Sequence, residues 1–264
     1  MILDKAVGVL KKDVLTAIRY RNGFVLSAVA PAAQLATFYY LARAVGPQFR
    51  PEGMPYFHFL LIGTGFYSFL LTGTYSFLRT IQEAQQSGTL EVLMTTSTRP
   101  EVLLGLSAVS AFASAFVQLF FYVALGSVLL ARGVHINFLA TALVFTLSVL
   151  IATAIGMVAA GLQISIQKGS AVLWALGSSS WLLAGTMFPV AALPRPVQVI
   201  SNLLPFTHSL TGMRLAMLQP LGSSALRDEI GILVLFVLAL GPISIVFFSW
   251  AVRRARQLGT LSFY

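Results

Sequence analysis

The chain has 264 residues, of which 57% are hydrophobic and only 9% charged, with a formal net charge of +9 and no cysteine. A soluble domain carries about 25% charged residues, so a water-facing surface cannot be built from this composition. The missing cysteine excludes disulfide frameworks, thiolate metal sites and cysteine nucleophiles together, and the excess of positive charge reads as basic residues flanking membrane spans, not as a nucleic-acid footprint.

In residues 1–21, Leu3, Val7, Leu10, Val14 and Ile18 recur at helical spacing, with Lys11, Lys12 and Asp13 on other faces. This predicts an amphipathic helix lying on the bilayer surface or packed on a partner protein. The apolar block that follows outruns the roughly 7–15 residues of a signal-peptide core, so it is read as an uncleaved first span. Crossing the hydrocarbon takes about 20 helical residues. Six uncharged runs provide them: residues 23–42, 57–78, 102–131, 138–167, 169–194 and 230–252. The expected fold is all-α, one membrane domain over residues 1–264 with six transmembrane helices. Arg132 and His135 mark a tight hairpin turn between the third and fourth runs.

Basic residues set the orientation. With both termini cytoplasmic, eleven of them lie inside, including every lysine, and six lie outside: Arg43, Arg50, Arg132, Arg195, Arg214 and Arg227. Two segments between the runs stand out. Residues 79–101 extend the second span as far as Gln86, break at Ser87 and Gly88, and allow a short helix over 89–95 that ends before Arg99 and Pro100. Its apolar side, Leu90, Leu93 and Met94, beside Glu91, suits a groove on a soluble partner or a plain solvated loop. Residues 185–218 carry Pro189, Pro194, Pro196 and Pro205 among Ser, Asn and Thr. They are too polar and too broken to cross lipid exposed, and are expected to form short helices re-entering from the outside.

Chemistry-bearing residues are sparse. No phosphate-binding Gly-x-x-x-x-Gly-Lys-Ser/Thr loop occurs, so ATP, if used, must be bound by another chain. No Asp, Glu, Lys or Arg falls inside any of the six runs, which argues against an ion-coupled carrier. His58, His135 and His208 sit in separate segments without metal-ligand spacing, and Ser178, Ser179 and Ser180 lack a base and suit close helix packing. Gln34, Gln118 and Gln163 lie in spans, each equally suited to a helix–helix hydrogen bond or a substrate contact. The aromatics include Phe38 in the first span and Phe66 and Tyr67 in the second. They serve packing or line a route for an apolar or sugar-bearing substrate.

The run Gly88, Thr89, Leu90, Glu91, then Leu93, Thr95, Thr96, Ser97 and Arg99 resembles the cytoplasmic motif of type-2 ABC exporter permeases. So does the later block of Phe188, Pro189, Leu193, Pro194, Leu204, Pro205, Phe206, Thr207, His208, Gly212 and Arg214, in the matching loop. The family's stretch before this Gly is more charged; here Gln82, Gln85 and Gln86 accompany a single Glu83. The resemblance implies a coupling helix meeting an ATPase through Glu83, Ser87, Gly88, Thr89, Leu90, Glu91, Leu93 and Arg99. It implies an amphipathic connecting helix over 1–21. An external gate would form at Phe188, Pro189, Leu193, Pro194, Pro205 and Phe206. Spans one, two and five would line a substrate path, with Gln34, Phe38, Phe66 and Tyr67 as candidates. The implied partners are two copies of a separate ATPase that holds ATP and Mg, a second permease copy and the bilayer, but no nucleic acid. This chain would bind no cofactor or metal and have no catalytic residue. It would sit in the inner membrane and export an amphiphile, a lipid-like molecule or a lipid-linked glycan. The competing readings are an ion-coupled secondary transporter and a membrane scaffold or receptor subunit.

Overall fold

A computed structural model describes residues 21–89, 100–128, 137–166, 168–219 and 223–258. The amphipathic helix expected over 1–21, the short helix expected over 89–95 and the hairpin turn at Arg132 and His135 fall outside them, apart from Arg21 and Thr89. Every regular element among the described residues is helical: α1 (Arg21–Val45), α2 (Tyr56–Gln86), α3 (Pro100–Val128), α4 (Phe138–Ile166), α5 (Gly169–Leu183), α6 (Arg195–Asn202), α7 (Pro205–Leu218) and α8 (Ser224–Leu258). Single 3-10 turns lie at Pro51–Gly53 and Val190–Ala192.

Three of the helices, α2, α4 and α8, are long and apolar enough to cross a membrane by length and composition. α8 buries little of itself and exposes Leu235, Leu238, Val246 and Trp250, an apolar surface that water would not tolerate and lipid would. The fifth expected span, 169–194, is helical over a shorter stretch than its apolar run. α5 has 15 residues, about 22 Å of helix. It stops because Gly185 turns left-handed at φ 77°, while the Thr186 hydroxyl donates to the Trp181 carbonyl. Pro189 and Pro194 then prevent any continuation. The rest of that run joins the short helices α6 and α7, neither long enough to span.

α4 is the centre, packed by α8, α2, α7 and α5. It can be the centre because its buried stripe is small: Ala140, Val144, Ser148, Ala152, Gly156, Ala159 and Ala160. In lipid, helices associate by close van der Waals approach, which small residues permit. Phe77 of α2 lies against Gly156 so closely that an added Cβ would sit 2.6 Å from the ring and 2.8 Å from the Thr74 carbonyl oxygen. The Thr74 hydroxyl reaches across the same contact toward the Ala152 carbonyl at 3.3 Å. α1 and α3 are peripheral: α1 touches α2 and α3, and α3 leans mainly on α2.

Gly156→Ala should therefore force α2 and α4 apart and lower the melting temperature of the purified protein by several degrees. Gly105→Ala on α3, where nothing lies within 4 Å, should leave it unchanged or raise it through helix propensity. Fluorescence-detected thermal unfolding of the two variants in one detergent measures the difference.

Candidate functional site

The two segments singled out in the sequence meet the two ends of α2, and a cavity lies between. At the Gln85 end, α2 closes in a left-handed cap that begins the 87–99 loop. Gly88 adopts φ 67°, and its amide donates to the Gln85 carbonyl at 3.1 Å, while the Thr89 amide donates to the Ala84 carbonyl at 2.9 Å. These paired bonds are the helix stop that glycine makes possible. The Ser87 hydroxyl adds a bond to the Glu83 carbonyl at 2.7 Å and pairs with the Thr89 hydroxyl at 2.8 Å. Glu83 is exposed, 3.7 Å from Arg79, and available to a partner, since an exposed ion pair of this kind contributes little. Glu83, Ser87, Gly88 and Thr89 are thus brought together; Leu90, Glu91, Leu93 and Arg99 lie outside the described residues.

Beneath this cap runs a buried chain of amides. The Gln163 side chain of α4 donates to the Gln85 carboxamide oxygen at 3.1 Å and accepts from the Gly169 backbone N–H at 3.1 Å. Both glutamines are buried, where unpaired amides would be costly. Gln163 is therefore a helix–helix bond that ties the start of the loop to the end of α4 and the first residue of α5. Nothing in the sequence distinguished it from Gln34 or Gln118.

At the Tyr56 end the sequence concealed a charged cluster. Arg214, counted from sequence among the outer basic residues, is 1% exposed. Its guanidinium lies 3.5 Å over the Phe59 ring and 3.6 Å from the Glu52 carboxylate. It donates to the carbonyls of Phe59 (3.3 Å), Gly185 (2.8 Å) and Thr186 (3.4 Å). Space for it exists because residue 63 is glycine; a Cβ there would stand 2.3 Å from the guanidinium. One side chain thereby fastens the 46–55 loop, α2, the segment after α5, and α7. Glu52 reaches it from a left-handed backbone at φ 54°, rare for a residue with a side chain. Burial depresses the Arg214 guanidinium to about 10, which still leaves it charged near neutrality, and burial raises the Glu52 carboxyl above its ordinary value. Next to this pair, His208 bonds the Glu229 carboxylate of α8 at 2.8 Å and the Asn202 carbonyl at 2.9 Å. The bond to Glu229 raises the imidazole above its ordinary value against the opposing effect of burial.

The expected gate residues divide. Phe206 is buried, edge-on to Tyr67 at a centroid distance of 5.9 Å. Phe188, Pro189, Leu193 and Pro205 are half-buried and Pro194 is exposed. The Gln198 carboxamide holds the turn between them by donating to the Leu193 carbonyl at 2.7 Å and the Ala191 carbonyl at 3.2 Å. Tyr56 adds a tie from α2 through its hydroxyl to the Met187 carbonyl at 3.0 Å.

Of the four residues expected on a substrate path, Gln34 lines a cavity of about 110 Å³ between α1, α2 and α3. The other three are core in this chain, because their rings fill interhelical space that nothing smaller would. Phe38 packs with Leu35, Phe57 and Leu60, and Phe66 stacks near Phe69 and Phe145. The Tyr67 hydroxyl donates to the Gly177 carbonyl of α5 at 2.6 Å. Among the described residues no cluster of three His, Cys, Asp or Glu could hold a metal ion.

A glycine cap above a buried amide pair, a proline-broken segment fastened at the other end and a bundle of apolar helices coincide with a family match. Residues 7–218 match the ABC-2 type transporter family. The chain belongs to that family. A search of curated proteins finds no match. An ABC-2 membrane domain is the permease component of a transporter, is not itself catalytic, and works with an ABC ATPase subunit. The chain is accordingly a membrane-embedded, multi-pass transport protein.

Arg214→Met should destabilise the permease by about 3 kcal/mol, because it strands a half-buried carboxylate and three carbonyls. Adding Glu52→Gln should recover part of that loss in the same thermal assay. The pH dependence has a definite sign. The raised His208 contributes stability in full below about pH 6.5, its ordinary value, and loses it as pH rises through the folded value. Glu52, also raised, acts in the same direction from about pH 4.5 upward. Melting temperature should therefore fall between pH 6 and pH 8, and His208→Gln should flatten that slope.

Proposed function

We propose that this ABC-2 permease is the membrane half of an exporter in the cytoplasmic membrane. It would pair with a second copy of itself and with two ATPase subunits that hold ATP and Mg. The observation that carries the reading is the junction at Gln85. There, the last turn of α2, just before the segment expected to meet an ATPase, is bonded into the α4–α5 corner. Closure of the ATPases on ATP would push the 89–95 segment, and the amide chain would pass that push to α5. Six spans with both termini cytoplasmic place eleven basic residues inside. In that arrangement the short helices α6 and α7 re-enter from the outside. Phe188, Pro189, Leu193, Pro194, Pro205 and Phe206 then close the outer end over the Arg214 cluster. The cargo on this reading is an amphiphile, a lipid-like molecule or a lipid-linked glycan, because the surfaces available to it are aromatic, apolar and uncharged.

The contact with the ATPase rests on Leu90 and Leu93, with Glu91 at the rim. Burying a leucine contributes about 1.5–3 kcal/mol and an exposed ion pair about 0–1 kcal/mol. Leu90→Asp should therefore abolish ATPase co-purification and transport while expression is maintained, and Glu91→Gln should reduce them only slightly. Full transport and full partner binding by Leu90→Asp would remove this loop as the coupling element.

A further inference from the structure

The cavity between α1, α2 and α3 has a chemistry that neither the packing nor the coupling junction uses. It lies near the middles of its helices, at bilayer depth. Its lining brings together Gln34 of α1, Ser68 and Thr72 of α2, and Gln118 of α3. All four are exposed. The Thr72 hydroxyl is spent on the Ser68 carbonyl at 2.9 Å. Among the described residues, the side chains of Gln34, Ser68 and Gln118 have no hydrogen-bond partner. Two free carboxamides facing hydrocarbon are costly, so something that hydrogen-bonds must meet them. Two further features point to the same place. Pro31, also in the lining, sits inside α1, and a proline there leaves the carbonyl one turn earlier without its helical donor. Tyr122 of α3 lines the cavity too; it is 8% exposed, and its hydroxyl is unpartnered among the described residues.

Among the described residues the lining contains no carboxylate, lysine, arginine or histidine, so no opposite charge there answers a phosphate or an ammonium group. Carboxamides and hydroxyls, with donors and acceptors side by side, match the hydroxyls of a sugar or polyol. The groove is partly open, and its volume of about 110 Å³ is below the roughly 150 Å³ that holds a benzene ring, so it takes in one edge of a headgroup while the rest stands outside. Next to Gln118, Val117 and Phe121 form an exposed apolar i, i+4 stripe along α3, suited to a hydrocarbon chain. The groove is on the face of α2 turned about a third of a turn from Tyr67 and Leu71, which contact α5. It shares Gln34 with the path expected of spans one, two and five, but opens toward α3 and away from α5.

We propose that this groove binds the uncharged, hydroxylated headgroup of a lipid-like molecule, with Gln34 and Gln118 as its principal contacts and Val117 and Phe121 along its chain. As an assignment of cargo class, this rests on the exporter reading; as a binding site, it stands without it.

The test uses the full-length permease in nanodiscs, with a monoglucosyl diacylglycerol carrying a photoactivatable headgroup as probe. Labelling should map to α1 and α3 around residues 31–34 and 115–122. Unlabelled monoglucosyl diacylglycerol should compete at least tenfold better than phosphatidylglycerol of the same chains. Gln34→Leu and Gln118→Leu, on different helices and each checked for an unchanged melting temperature, should each reduce labelling at least fivefold. Equal competition by phosphatidylglycerol, or labelling untouched by both variants, would overturn the proposal. A Gln118→Cys chain that forms a disulfide with a second copy would also overturn it, by showing that the groove is filled by protein. Labelling needs neither ATP nor the ATPase. Labelling as expected with no ATP-driven release therefore counts against export alone.

Discussion

A guanidinium is costly to hold out of water unless its charge and its donors are answered. Arg214 answers its charge with one carboxylate and one aromatic face and its Nη2 donors with three backbone carbonyls, while its Nε has no partner among the described residues. The answering groups come from segments far apart in the chain, so they are held in one arrangement by a shared need. Remove the arginine, and the 46–55 loop and the segment after α5 lose their common anchor, while α7 keeps the apolar packing of Phe206, Leu210, Met213 and Ala216. The bond of His208 to Glu229 secures the other side of α7 to α8. The arrangement at this end is thus electrostatic, whereas the middle of the bundle is held by close packing of small residues.

The sequence disclosed what depends on long apolar runs. The first, second, third, fourth and sixth runs became helices within a few residues of their expected ends, apart from polar extensions, because lipid leaves a spanning segment no alternative to satisfying its own backbone. The fifth run did not, since apolar residues continue past Leu183 while the backbone turns at Gly185; hydropathy alone does not register a left-handed turn. Arg214 was counted as a surface charge for a related reason. It belongs to a polar, proline-broken segment, and only the tertiary contact with Phe59 and Glu52 removes it from water. The same limit applied to the three span glutamines, equivalent on paper. Gln163 meets Gln85 across a helix pair, while Gln34 and Gln118 face a cavity.

The contrast between the two kinds of polar group clarifies the transporter itself. The titratable residues the structure collects, Glu52, His208, Arg214 and Glu229, lie at one end of the bundle and outside the six uncharged runs. The groups at bilayer depth are carboxamides and hydroxyls that do not change charge. Such a protein can hold a neutral polar group in its middle without any proton being exchanged there, which agrees with a family that draws its energy from a separate ATPase.

The bonded sequence Gln85, Gln163, Gly169 also divides the bundle mechanically. α2, α4 and α5 are pinned to one another at a buried point one hydrogen bond wide, whereas among the described residues α1 and α3 meet the rest by side-chain packing, mainly against α2. A displacement delivered at the 89–95 segment would reach the first three as a stiff frame. α3, which follows that segment in the chain from Pro100, would be carried with it, while α1 would have to follow by packing or slip. Slippage along that softer seam would change the width of the space between them before anything at the far end had moved, so the two ends of this permease need not answer a stroke at the same instant.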